Sequence, residues 1–156
     1  MEKIKSFCVD HRKLNKGIYI SRIDGDVVTY DLRFVKPNCG GYLDNETMHT
    51  IEHMLATFAR NSDIKDEVVY FGPMGCQTGF YLLLRDSVTP AKALETIKDI
   101  LGKTIEHRGE VFGASEVECG NYQSLNLEKA QDACKEYLDI INPLTDIIDY
   151  EQVNNT

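Results

Sequence analysis

His49-Thr50-Ile51-Glu52-His53 sets two imidazoles four residues apart with a carboxylate between them. On an α-helix, residues at that spacing differ by about 40° in direction and about 6 Å in rise, so His49 and His53 can grip one metal ion from one side. Glu52 lies about 60° from His49, close enough to reach a group bound to the metal without ligating it. H-x-x-E-H is one of the zinc-dependent catalytic orders, with the glutamate as proton-transfer group. Two surface histidines on an amphipathic helix would spell the same pattern. Here Met48, Ile51, Leu55 and Phe58 form the apolar stripe, and the histidines face away from it.

Two imidazoles do not complete a site, and a thiolate or a further imidazole would suit zinc or ferrous iron. Five cysteines and four histidines are available. Cys119, in Glu118-Cys119-Gly120-Asn121, sits on a short polar segment where burial as a mere hydrophobe is unnatural. Cys134 falls on the apolar stripe of a late helix and reads as packing. Cys8 alternates with Phe7 and reads as packing too, Cys39 lies in a loop, and His107 near a helix end reads as a surface residue. Two histidines with one cysteine leave a tetrahedral position open, which marks a catalytic site rather than a structural one.

Cys76 is the second reactive candidate. Gly75 and Gly79 bracket it in Pro73-Met74-Gly75-Cys76-Gln77-Thr78-Gly79, at the junction of a turn and a strand. Glycines there permit close approach of a ligand. An inert buried thiol is the commoner fate of a free cysteine, whereas beside a dication the same thiol becomes a usable acid/base group. Spacing alone leaves both readings open.

These residues need a scaffold, and 156 residues suffice for one domain, 1–156. The chain is 42% hydrophobic and 27% charged, which is globular rather than disordered. A formal charge of −8 would repel phosphate backbones and anionic lipid, so no nucleic-acid or membrane partner is expected. No apolar run approaches the roughly 18 residues of a membrane span, and the N-terminal residues lack a signal-peptide core. An odd cysteine count without close pairs suits a reducing compartment, so the expected location is the cytoplasm.

Patterning predicts the elements. Ile4–Val9 reads as a first strand, then Gly17–Ile23 and Val27–Val35 as a hairpin turning at Asp24-Gly25 in a type I′ geometry. In its second arm Val28, Tyr30, Leu32 and Phe34 share one face, and Thr29, Asp31 and Arg33 share the other, which is either solvated or turned into a site. A helix capped by Asp44 or Asn45 carries the histidines to about Asn61. Strands at Glu67–Phe71 and Thr78–Leu84 flank the Cys76 turn, a helix starts at Thr89-Pro90, and Leu127–Ile141 forms another, with Pro143 beyond its end. The order implies an α+β fold with an antiparallel sheet packed against helices.

Ser6-Phe7 with Asp10-His11, Tyr30-Asp31-Leu32-Arg33-Phe34, the His49–His53 motif, Pro73-Met74-Gly75-Cys76, Thr78-Gly79-Phe80-Tyr81 and Glu118-Cys119-Gly120 occur in that order. Together they resemble the S-ribosylhomocysteine lyase (LuxS) family, the autoinducer-2 synthases of bacteria, over about Ile4 to Tyr137. One such motif is modest support, and six in register are highly specific. The resemblance implies a homodimer with two active sites at the subunit interface. It implies one divalent metal per subunit, iron(II) physiologically with zinc or cobalt possible, held by His49, His53 and Cys119, and no organic cofactor. Glu52 and Cys76 match the family's acid/base residues, and Ser6, His11 and Arg33 match positions that contact substrate.

The implied reaction cleaves S-ribosylhomocysteine to homocysteine and 4,5-dihydroxy-2,3-pentanedione. Two aldose–ketose isomerisations carry the carbonyl from C1 to C3, and β-elimination then releases the thiolate. Each isomerisation needs a Lewis acid and a proton shuttle, and the net change is redox-neutral. Two departures stand out: Tyr70 and Gly72 replace a common Asp and Ser, and the acidic tail after Pro143 is not family-typical. A metallopeptidase-like hydrolase is the alternative for H-x-x-E-H, although such enzymes generally use a carboxylate as third ligand. A non-catalytic metal-bearing module is the remaining reading.

Overall fold

Two hairpins build the sheet. The computed structural model describes residues 1–156, and in it β1 (Gly17–Asp24) pairs antiparallel with β2 (Val27–Arg33). Their two-residue loop is Gly25-Asp26, and of the pair Gly25 alone has positive φ, 59°. That is the pattern of a type II′ turn, so the loop lies one residue later than predicted and is not type I′. The second hairpin, β3 (Val68–Pro73) and β4 (Gly79–Arg85), docks β4 against β2. A two-residue β5 (Ile148–Asp149) adds to β1 in parallel, giving the order β3-β4-β2-β1-β5.

Three helices cover one face. α1 (Asn45–Ala59) starts at Asp44, whose carboxylate accepts from the Thr47 amide. α2 (Pro90–Glu106) starts at Thr89 with proline in its first turn, and α3 (Leu127–Ile141) starts at Asn126, capped onto Lys129. Each such cap stabilises its helix by about 1 kcal/mol. Val28, Tyr30 and Leu32 of β2 join Met48, Ile51 and Leu55 of α1, Ile97 and Leu101 of α2 and Cys134 and Tyr137 of α3 in one core. The predicted stripes are therefore the ones buried, with Phe58 only partly so.

The opposite face of β2 is the unexpected part. Thr29, Asp31 and Arg33 are buried as well, Asp31 wholly. A small second cluster, Val9, Leu14, Tyr19, Tyr150 and Val153, lies on this side. Tyr150 and Val153 belong to a short terminal helix, α4 (Tyr150–Asn154), which periodicity did not disclose.

Ile4–Val9 is not a strand. Lys5–Phe7 is a single 3-10 turn, closed by the Phe7 and Cys8 amides on the carbonyls of Ile4 and Lys5. Alternation there lacks the partner that a ladder requires: β1 pairs with β2 on one side and β5 on the other. Cys8 is accordingly exposed rather than packed. At the outer border, Arg60 donates to the carbonyls of Val68 and Val69 at 3.1 and 3.0 Å.

Candidate metal centre

The second and third turns of α1 bring His49 and His53 onto one face, with ring centroids 4.6 Å apart. Each ring is aimed by a main-chain carbonyl. His49 Nδ1 lies 2.8 Å from the Ser124 carbonyl and His53 Nδ1 lies 2.7 Å from that of Phe112. A carbonyl can only accept, so both Nδ1 atoms carry the proton and both Nε2 lone pairs are free for a metal.

Cys119 completes the group. Its Sγ stands 3.4 Å from His49 Nε2, and one ligand atom from each of His49, His53 and Cys119 lies within 4.8 Å of the others. The thiol is held by a turn in which its amide donates to the Ser115 carbonyl, and the Asn121 amide points at its sulfur. Two neutral imidazoles and one thiolate are a donor set for zinc or ferrous iron, so the residues fit a divalent metal. All three are half-buried, and Glu52 and His49 line the same groove of about 390 Å³, with Asn121 and Ser124.

The loops that supply these carbonyls are themselves tied down. Thr50 Oγ accepts from the Asn126 amide at 2.8 Å, fixing the approach to α3 and hence Ser124. His107 is more than a surface residue: its ring packs 4.8 Å from Phe112, which in turn meets Phe58 at 5.1 Å. Gly113 has a φ of 68°, and a Cβ there would sit 3.3 Å from His53 Nδ1. Residue types mark the candidate ligands, but nothing in the sequence marks the carbonyls of Phe112 and Ser124.

Cys76 lies on the turn between β3 and β4 and is exposed, not buried as an inert thiol would be. It lines a cavity of about 150 Å³ with His11, Arg33, Tyr42 and Thr78. Thr78 was not predicted, and it joins the other two: its Oγ lies 3.0 Å from Cys76 Sγ and accepts from Arg33 at 2.7 Å. Gly79 permits this by close approach, since a Cβ there would lie 2.1 Å from the Leu32 carbonyl oxygen. Arg33 is buried and paired with Asp31, and its Nε has no partner. Ser6, in the 3-10 turn, lines neither the groove nor this cavity.

The Tyr70 and Gly72 departures are one feature. They stand two residues apart on the same face of β3, and a Cβ at 72 would lie 2.1 Å from the Tyr70 hydroxyl. The phenol of Tyr70 occupies the space that a serine at 72 would need. Cys134 is fully buried, and desolvation pushes its thiol up to about 12, so it serves as packing, as its place on the apolar stripe predicts.

An α+β domain with an open His-His-Cys triad beside a glutamate has the site of a catalytic, metal-dependent protein. The S-ribosylhomocysteinase (LuxS) family model matches residues 4–146, and the chain belongs to that family. It is 43% identical over 146 residues to an S-ribosylhomocysteine lyase of Finegoldia magna, covering 91% of this chain and 93% of that protein. A lyase of the same name from Clostridium acetobutylicum is 44% identical over 135 residues, 83% of this chain and 85% of the relative. One from Borreliella burgdorferi is 41% identical over 147 residues, 91% and 94%.

Proposed function

We propose that the chain, acting as one domain over 1–156, is an S-ribosylhomocysteine lyase that yields homocysteine and 4,5-dihydroxy-2,3-pentanedione. The His49–His53–Cys119 cluster carries this reading, because a thiolate third donor departs from the carboxylate a hydrolase alternative would use. A bound dication, iron(II) in the cell with zinc or cobalt as substitutes, supplies Lewis acidity toward adjacent sugar oxygens. Glu52, in the groove beside His49, takes and returns a proton at the sugar carbons. Cys76 is the partner acid/base group, and Arg33, His11 and Ser6 hold the substrate. No helix is long and apolar enough to cross a membrane, and the free thiols suit a cytoplasmic enzyme.

The Glu52–His49 groove and the Cys76–Arg33 cavity share no lining residue. A homodimer in which one subunit's groove faces the other's cavity joins the two halves into one site. Mixed dimers test this. His49→Ala and Cys76→Ala proteins are each inactive alone, yet a randomly mixed dimer population regains about a quarter of wild-type activity, because half the dimers contain one intact site. Absence of any recovery in confirmed heterodimers excludes sharing. Thiol release from S-ribosylhomocysteine by iron-loaded protein tests the reaction itself.

A further inference from the structure

The family match ends at residue 146, and of the last ten residues, 147–156, Ile147 joins the main core while Tyr150 and Val153 pack on the Arg33 side of β2. β5 pairs with Tyr19 and Ile20 of β1, and Asp149 then caps α4 with a reciprocal box to Gln152. That anchoring sets Tyr150 over the sheet, buried, with its hydroxyl donating to Asp31 Oδ2 at 2.5 Å. The same oxygen receives Arg33, while Asp31 Oδ1 has no partner. Burial first, and then the Asp31 charge, raise the Tyr150 phenol far above its ordinary value, so it stays a donor. Four residues on, Asn154 holds the N-terminal segment: its Oδ1 accepts from the Asp10 amide at 2.8 Å and its Nδ2 donates to the Cys8 carbonyl at 3.1 Å. That segment carries His11.

We infer that residues 147–156 are a positioning element of the active site, in which Tyr150 holds the Asp31–Arg33 pair and Asn154 holds the His11 segment. The chain of contacts is continuous: Tyr150 to Asp31, Asp31 to Arg33, Arg33 to Thr78, Thr78 to Cys76. Without the Tyr150 hydroxyl, the fully buried Asp31 keeps a single hydrogen-bond partner. The carboxylate is then a poorer anchor for Arg33, and the guanidinium loses its fixed aim at the cavity. The inference rests on the reading of Arg33 and His11 as substrate contacts.

The test compares hydroxyl deletions of equal size. Tyr150→Phe removes the donor to Asp31. Tyr137→Phe removes another buried donor, to the Gly17 carbonyl at 2.8 Å, which makes no hydrogen bond to Asp31, Arg33 or Thr78. With metal content and dimerisation unchanged in both, Tyr150→Phe raises KM roughly 10-fold with a smaller change in kcat, and Tyr137→Phe leaves KM alone. Asn154→Ala also raises KM and speeds amide exchange at Asp10, a readout that Tyr150→Phe leaves untouched. Arg33→Lys is measured alongside and raises KM. Wild-type KM in Tyr150→Phe, or equal losses in both tyrosine variants, overturns the inference while the Arg33 reading stands. Wild-type KM in Arg33→Lys overturns the Arg33 reading and the inference with it.

Discussion

His49 Nε2 and Cys119 Sγ stand 3.4 Å apart although 70 residues of chain separate them. An imidazole lone pair and a thiol held that close, with His53 beside them, gather three donors that could hold one cation. His49→Ala or Cys119→Ala should therefore abolish metal retention through dialysis, since two remaining donors rarely hold a dication. Metal analysis reads the result. Stoichiometric metal in dialysed Cys119→Ala protein would remove the thiol from the ligand set.

Glu52 should be separable from binding. It lines the groove but is absent from the three-donor cluster. Glu52→Gln keeps the shape and cannot accept a proton at neutral pH. Metal content should be unchanged while turnover drops by roughly 10²-fold or more, the usual scale for a lost general base. Turnover near wild type would make Glu52 a structural residue.

The cysteines should sort by chemical modification. Iodoacetamide reaches Cys76, which is exposed, and spares Cys134, whose thiol burial holds up at about 12. Cys8 is exposed too and should react, but substrate should shield Cys76 alone. Cys76→Ala, folded and metal-loaded, should lose turnover. Full activity there, or substrate protection of Cys8 and Cys76 alike, would argue against Cys76 as the proton shuttle.

Asp44 gives the ligand-bearing helix a pH signature. The Thr47 amide first, and Lys129 after it, hold its carboxyl at about 2 against an ordinary 3.8. A depressed folded-state value adds stability that is fully present above about pH 4 and is lost as the pH falls toward 2. Asp44→Ala should cost about 1 kcal/mol at neutral pH, as cap deletions do. Asp44→Asn should retain most of the cap, and its difference from wild type should vanish on acidification. Urea melts at several pH values check both, and a pH-independent difference would rule out the charge as the cause.

Side-chain chemistry was legible and main-chain chemistry was not. His49, Glu52 and His53 could be read because type and spacing carry their meaning, Cys119 stood out by its polar segment, and spacing left Cys76 open. α1 and α2 begin at Asp44, one of two caps expected, and at Thr89. The carbonyls of Phe112 and Ser124 aim both imidazoles, yet any residue owns a carbonyl. The hidden face of β2 was undecidable from alternation, because Asp31 and Arg33 look alike whether water or Tyr150 covers them. β5 spans two residues, too short for any period, and Ile4–Val9 alternates without a neighbour to pair with. The β2 face and β5 share one cause: the deciding partner lies more than a hundred residues away.

Each border of the sheet carries a partial guard against further strands. On one side β5 offers two residues before α4 begins. On the other, β3 is outermost, but the Arg60 guanidinium already takes the carbonyls of Val68 and Val69, and Pro73 has no N–H to give. A chain laid alongside the guarded stretches would find little free main chain to zip onto. Copies of this protein that met along these stretches would have to do so through side-chain surfaces rather than by adding strands.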